Sequence, residues 1–150
     1  MKKKQSTLKF VVQMAMIFGL IVSFTATTMA AGNVKRGKRK YDEFCTPCHG
    51  KNGQGNGTRM KVEKLDPPPR NHTDGNYMNR RTDVLLFKTI KEGGKSQNFS
   101  HIMPQWQHIL KDKQIWDVLA YVRSLAKDPE WTGTPLPPDP NVKSKPAPSQ

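Results

Sequence analysis

The sequence predicts an all-α domain in which several short helices, joined by long loops, wrap around one covalently bound prosthetic group. Three observations predict it. Apolar residues recur at helical spacing over 33–48, 83–92 and 112–127, and no stretch alternates convincingly as a strand would. The connecting segments are long and rich in glycine and proline, which a domain of about 95 residues tolerates only if something besides side chains fills its centre. Finally, Cys45-Thr46-Pro47-Cys48-His49 reads C-x-x-C-H, the spacing for covalent attachment of c-type haem.

The motif divides its labour by residue. Two cysteines three positions apart on one helical turn can each add to one haem vinyl group. The histidine directly after them then lies under the iron and offers an imidazole nitrogen as proximal ligand. A bare C-x-x-C also suits a dithiol redox pair or half of a zinc site. The zinc reading needs further thiolates or histidines, and the chain has only two cysteines. The dithiol reading needs a strand before the motif and a βαβ pattern around it, and neither is found. With both sulfurs in thioether bonds, no structural disulfide is available.

The chain begins as a secretory signal would. Met1 to Lys4 is a positive start, Phe10 to Phe24 an apolar run, and Thr28-Met29-Ala30 a cleavage site of small residues. Residues 1–30 are therefore expected to be a signal peptide, with an uncleaved membrane anchor as the alternative, since Phe10 to Ala31 is just long enough to span. Either way the domain over 31–127 is expected outside the cytoplasm, in the periplasm, where c-type haem is attached. Any membrane association would come through that first segment.

The first helix is expected over 33–48, with Asn33 as its N-cap and Val34, Gly37, Tyr41, Phe44, Cys45 and Cys48 at helical spacing. Lys35, Arg36, Lys38, Arg39 and Lys40 would mostly face water. The glycines at 50, 53, 55 and 57 have no phosphate-loop context. They mark a tight loop passing close to something bulky, here the haem edge. Leu65-Asp66-Pro67-Pro68-Pro69-Arg70 must be extended. A carbonyl from this run is a fitting acceptor for the Nδ1 hydrogen of His49. Thr82 caps a helix over Asp83–Glu92 with Val84, Phe87 and Ile90 inward and Leu85 or Leu86 beside them, ended by Gly93-Gly94. Lys95 to Ile102 is a loop, and Pro104 opens a short helix through Leu110. Asp112 caps the last helix, whose stripe is Ile115, Trp116, Val118, Leu119, Val122 and Leu125 and which stops near Lys127. From Asp128 on, seven of 23 residues are proline, giving an extended tail over 128–150 and not a folded domain.

The iron needs a second axial ligand or an open site. Met60, Met78, Met103, His72, His101 and His108 are the candidates. Met103 stands out because Pro104 biases it to an extended conformation and because it lies on a loop just before the last helix. His101 is the runner-up, and His72 and His108 are expected to be exposed. A histidine with a methionine leaves no open coordination position and favours ferrous iron. That is the chemistry of an electron carrier and not of an enzyme acting on substrate or dioxygen.

At this point the stretch from about 33 to 127 resembles a class I cytochrome c of the bacterial monohaem kind. Cys45, Cys48 and His49 match its haem-binding motif. Gly37 and Tyr41 stand eight and four residues before Cys45, where that family places a glycine and an aromatic that pack on the final helix. Val118-Leu119-Ala120-Tyr121-Val122 is similar to the segment that receives them. Met103-Pro104 with Trp106 resembles the distal-ligand loop. Pro69-Arg70-Asn71 resembles the stretch whose proline supports the proximal histidine, and the resemblance implies that Arg70 faces a propionate. It also implies one haem c wrapped by the cytochrome c fold, with an edge exposed.

The net charge of +13, from 25 basic and 12 acidic side chains, invites a nucleic-acid partner. No nucleic-acid motif accompanies it. Four of the lysines lie in the first ten residues. Acidic docking surfaces on redox-partner proteins are the better match. The expected function is an exported monohaem c-type cytochrome passing single electrons between such partners. The alternative is a haem subunit held permanently in a larger respiratory or dehydrogenase complex.

Overall fold

The computed structural model describes residues 32–137; the expected signal segment therefore lies outside the described residues, as do the last thirteen of the tail. Among the described residues five α-helices follow one another: α1 (Val34–Phe44), α2 (Thr46–His49), α3 (Gly75–Met78), α4 (Asp83–Glu92) and α5 (Asp112–Leu125). Short 3-10 turns occupy Thr58–Lys61 and Gly94–Gln97. Among the described residues there is no strand, only an isolated bridge between Lys127 and Glu130. No helix among them is long and apolar enough to cross a membrane.

The frame is the crossing of α1 over α5. Asn33 caps α1 through its side chain, which accepts the Arg36 N–H at 2.9 Å. Only Gly37 and Tyr41 of α1 are buried, and both meet α5. A side-chain carbon at Gly37 would overlap the carbonyl of Asp117. Tyr41 is fully buried, its ring edge-on to Tyr121 at 5.0 Å. Asp117 closes the crossing from the other side. It accepts the Asn33 backbone N–H at 2.6 Å and the Arg36 Nε–H at 2.7 Å. The rest of the basic run faces water, and Lys38 and Lys40 pair with Asp42 and Glu43 on their own helix.

Several elements differ from the sequence reading. The first helix breaks at Cys45, which caps the separate turn α2 formed by the rest of the motif. In α4 the buried residues are Leu86, Thr89 and Ile90, while Val84 is 57% exposed; Val84 opens the helix on its solvent side. No helix follows Pro104. The N–H groups of Trp106 and Gln107 are taken by the carbonyls of Ile90 and Lys91, which leaves a turn ending at the buried Leu110. The last helix starts with Asp112 inside it, after Lys111, whose backbone N–H is accepted by Gln114 Oε1 at 2.9 Å. It ends at Leu125, two residues early.

Residues 128–137 carry no helix and lie against the domain, with a turn at 128–129 closed by the bridge from Lys127 to Glu130. Asn79, 1% exposed, donates from Nδ2 to the Pro129 carbonyl at 2.7 Å and accepts the Leu136 N–H at 2.7 Å on its own carbonyl. Arg80 donates to the Pro137 carbonyl. The Trp131 ring covers the Arg123 guanidinium, with Cζ 3.6 Å from the ring centroid. Arg123 itself donates to the carbonyls of Met78 (2.8 Å) and Arg81 (2.5 Å) and to Asp83 (2.8 Å), so α5 is bolted to the chain between α3 and α4.

Candidate functional site

A cavity of about 410 Å³ lies among these elements, within the size range of cofactor pockets. Its walls are largely apolar. Tyr41, Leu86, Ile90, Val118, Leu119 and Val122 belong both to the core and to the lining. The domain is thus built around a space, as the loop-rich sequence requires.

Cys45, Cys48 and His49 reach this cavity together. The turn α2 places them there because its carbonyls anchor the glycine loop that follows. The Gly55 and Gly57 N–H groups donate to the carbonyls of His49 (2.8 Å) and Cys48 (3.0 Å). Gly55 adopts φ +78°, and a side chain there would strike the Pro69 carbonyl. The Gly53 carbonyl accepts the His72 N–H at 2.6 Å. The loop's tight approach is therefore to polypeptide, and none of residues 50–57 lines the cavity. Its effect is to bring residues 69–72 against His49.

That placement decides the tautomer of His49. Its Nδ1 lies 3.0 Å from the Arg70 carbonyl, which can only accept, so the hydrogen is on Nδ1 and the Nε2 lone pair is free. Burial lowers the pKa of His49 and so also favours the neutral ring. The Cys45 thiol is pushed up to about 12, first by burial and then by the neighbouring Cys48. A dithiol oxidoreductase needs the reverse, a stabilised thiolate.

Met103, Pro69, Arg70 and Trp106 line the same cavity. Met103 is half-buried, and its carbonyl accepts the Gly94 N–H at 3.1 Å, which pins the loop after α4. Trp106 packs against Phe44 with centroids 5.3 Å apart. Of the other candidate axial ligands, Met78, His72 and His101 are also in the lining, and Met60 and His108 are not. Met78 is core filler at 2% exposure.

Two features escaped the sequence reading. His72 is not exposed: it is half-buried, its ring stacks on His49 with centroids 4.2 Å apart, and its Nδ1 lies 3.1 Å from the Tyr41 hydroxyl. Burial holds its pKa well below the usual histidine value. Its partners lie 23 and 31 positions away, so no local pattern announces them. The second is Tyr77, whose ring is covered by two guanidiniums, with Arg70 Cζ at 3.7 Å and Arg81 Cζ at 4.2 Å. All three line the cavity. Arginines spaced eleven apart around a tyrosine carry no sequence signature.

Comparison with known proteins agrees with this geometry. The family model described as Cytochrome c matches residues 34–126. The Cbb3-type cytochrome c oxidase subunit CcoP of Azospirillum brasilense is 30% identical over 113 residues, 75% of this chain and 35% of that protein. The CcoP of Azospirillum sp. (strain B510) is 28% identical over 113 residues, 75% of this chain and 36% of that protein. The chain therefore spans about a third of the length of these relatives. Among solved structures, a chain of the Kuenenia stuttgartiensis reducing HAO-like protein complex matches with a TM-score of 0.55 and 25% identity, over 78% of this chain and 53% of that one.

Proposed function

The chain belongs to the cytochrome c family, and on that premise we propose that it carries single electrons between redox proteins through one haem c held by Cys45 and Cys48. The observation that carries this reading is the convergence of two thiols and one imidazole with a free Nε2 on a single apolar cavity. The residues fit such a group. The two sulfurs would fix it by thioether bonds, and His49 would ligate the metal through Nε2. The Arg70 carbonyl holds that ring upright and makes it a stronger donor. Met103 would offer its thioether as the sixth ligand. Arg70 and Arg81, steadied on Tyr77, would meet the carboxylates, and the apolar wall would keep water from the ring faces. Bound there, with His49 and Met103 as its protein ligands, the group would supply one-electron exchange.

Basic side chains on α1 would steer the protein to acidic surfaces on its partners, weakly and with salt dependence. Pairing of Lys38 and Lys40 with acids on the same helix moderates that attraction. The reading carries with it an exported, periplasmic setting, where c-type haem is attached. A second reading, a haem subunit within a larger respiratory assembly, is favoured by relatives named as oxidase subunits and by the neighbour from a protein complex.

Optical spectra of the purified protein, oxidised and reduced, test the first claim. A haem that stays with the chain after denaturation is expected; a colourless protein refutes it. The size of the native particle then separates the free carrier from the subunit.

A further inference from the structure

The hydrogen bond from His49 Nδ1 to the Arg70 carbonyl fixes where the imidazole points and only softly the plane in which it lies. The Nδ1–H and the Nε2 lone pair are not collinear, so the bond biases the plane, but a hydrogen bond tolerates bending and leaves the ring a range of tilts. A second constraint is needed to choose one orientation, and the structure contains a candidate on the other side of the ring. The His72 ring lies nearly parallel to it, with 21° between planes and centroids 4.2 Å apart. That distance and tilt suit offset stacking.

His72 is itself held at two points. Its backbone N–H donates to the Gly53 carbonyl at 2.6 Å. Its Nδ1 is 3.1 Å from the Tyr41 hydroxyl. Tyr41 has 0% exposure and lies edge-on to Tyr121 of α5. A side chain locked in this way can impose its own plane on a neighbour.

We propose that His72 is a positioning residue that sets the plane of the His49 imidazole, with the Tyr41 hydroxyl as its anchor. This rests on His49 being the proximal ligand. The plane matters because it decides which iron d orbital overlaps the imidazole π system. That overlap sets the magnetic anisotropy of the ferric centre and the unequal spin density around the porphyrin. Neither the covalent attachment nor the iron–nitrogen bond depends on it.

The test uses the haem-loaded full chain and two variants. His72→Leu fills the space without a planar ring, and His72→Phe restores a ring without the nitrogen. Electron paramagnetic resonance g values and the order of the haem methyl proton shifts in the ferric protein report the plane. His72→Leu is expected to change both while keeping covalent low-spin haem, and His72→Phe to move them back toward the parent values. Parent-like g values and methyl order in His72→Leu would overturn the proposal, as would a phenylalanine variant indistinguishable from the leucine one. If His72→Leu does not retain haem, Tyr41→Phe decides, since it frees the His72 ring without removing it: a changed methyl order supports the proposal and an unchanged one refutes it. A parent protein without covalent haem would instead refute the ligand assignment of His49.

Discussion

Gly37 of α1 sits directly on the carbonyl of Asp117 in α5, with no room between them for even a methyl group. The obstacle is helix backbone, which cannot rotate aside as a side chain would. Gly37→Ala is therefore expected to push the two helices apart and cost about 1–3 kcal/mol or more, the range for overpacking a tight contact. Denaturant unfolding of the haem-loaded protein measures it. Gly133, by contrast, has φ +90° but open space around it.

Met103→Ala should remove the sulfur ligand and lower the reduction potential by on the order of 0.1 V or more, within the ~0.8 V span that axial ligation controls. Met78→Leu should leave the sulfur–iron absorption in place, because Met78 is packed as core. Redox titration with optical spectra of both variants checks the pair. Loss of the sulfur signature in Met78→Leu and not in Met103→Ala would reverse the assignment.

Cutting the chain after Pro137 keeps every contact described for residues 128–137 and serves as the reference. Cutting it after Lys127 removes the Pro129 and Leu136 bonds to Asn79 and the Trp131 cover of Arg123. From these two hydrogen bonds, the Arg80–Pro137 bond and one cation–π contact, the expected loss is about 2–4 kcal/mol. The haem spectrum should survive, since none of residues 128–137 lines the cavity. Thermal melts of the two truncations distinguish these outcomes.

Arg36 and the Asn33 N–H hold the Asp117 carboxyl below its usual pKa of 3.8, the Arg36 hydrogen bond being the larger cause. A depressed folded pKa stabilises the protein above the unfolded value. The contribution should be complete above about pH 4 and be lost as pH falls through the lowered folded value. Asp117→Asn should therefore lower the melting temperature at neutral pH, and the gap between parent and variant should close in acid. A gap independent of pH from neutrality to pH 2 would refute the assignment.

Much of this was legible in the sequence, and for local reasons. The Asn33 and Thr82 caps act on N–H groups three residues away, and the α5 stripe and the C-x-x-C-H motif are likewise short-range patterns. What was misread depends on long-range partners. Val84 fits an apolar spacing in α4, but the helix's place against α5 turns it outward. Pro104 is a good first helical residue, yet α4 claims the N–H groups that would have followed it. His72 looked like a surface histidine because Tyr41 and His49 come close only after the glycine loop folds. The tail's proline content says nothing of Trp131 finding Arg123.

Seven residues, Met78 together with the six named above, serve at once as the domain's interior and as the wall of its cavity. Emptying that space leaves their inner faces without neighbours, so acquisition of the pigment and acquisition of a rigid tertiary structure become one event. A newly made polypeptide that has not yet met its porphyrin should melt without a sharp transition, and its survival would depend on how quickly attachment outruns proteolysis.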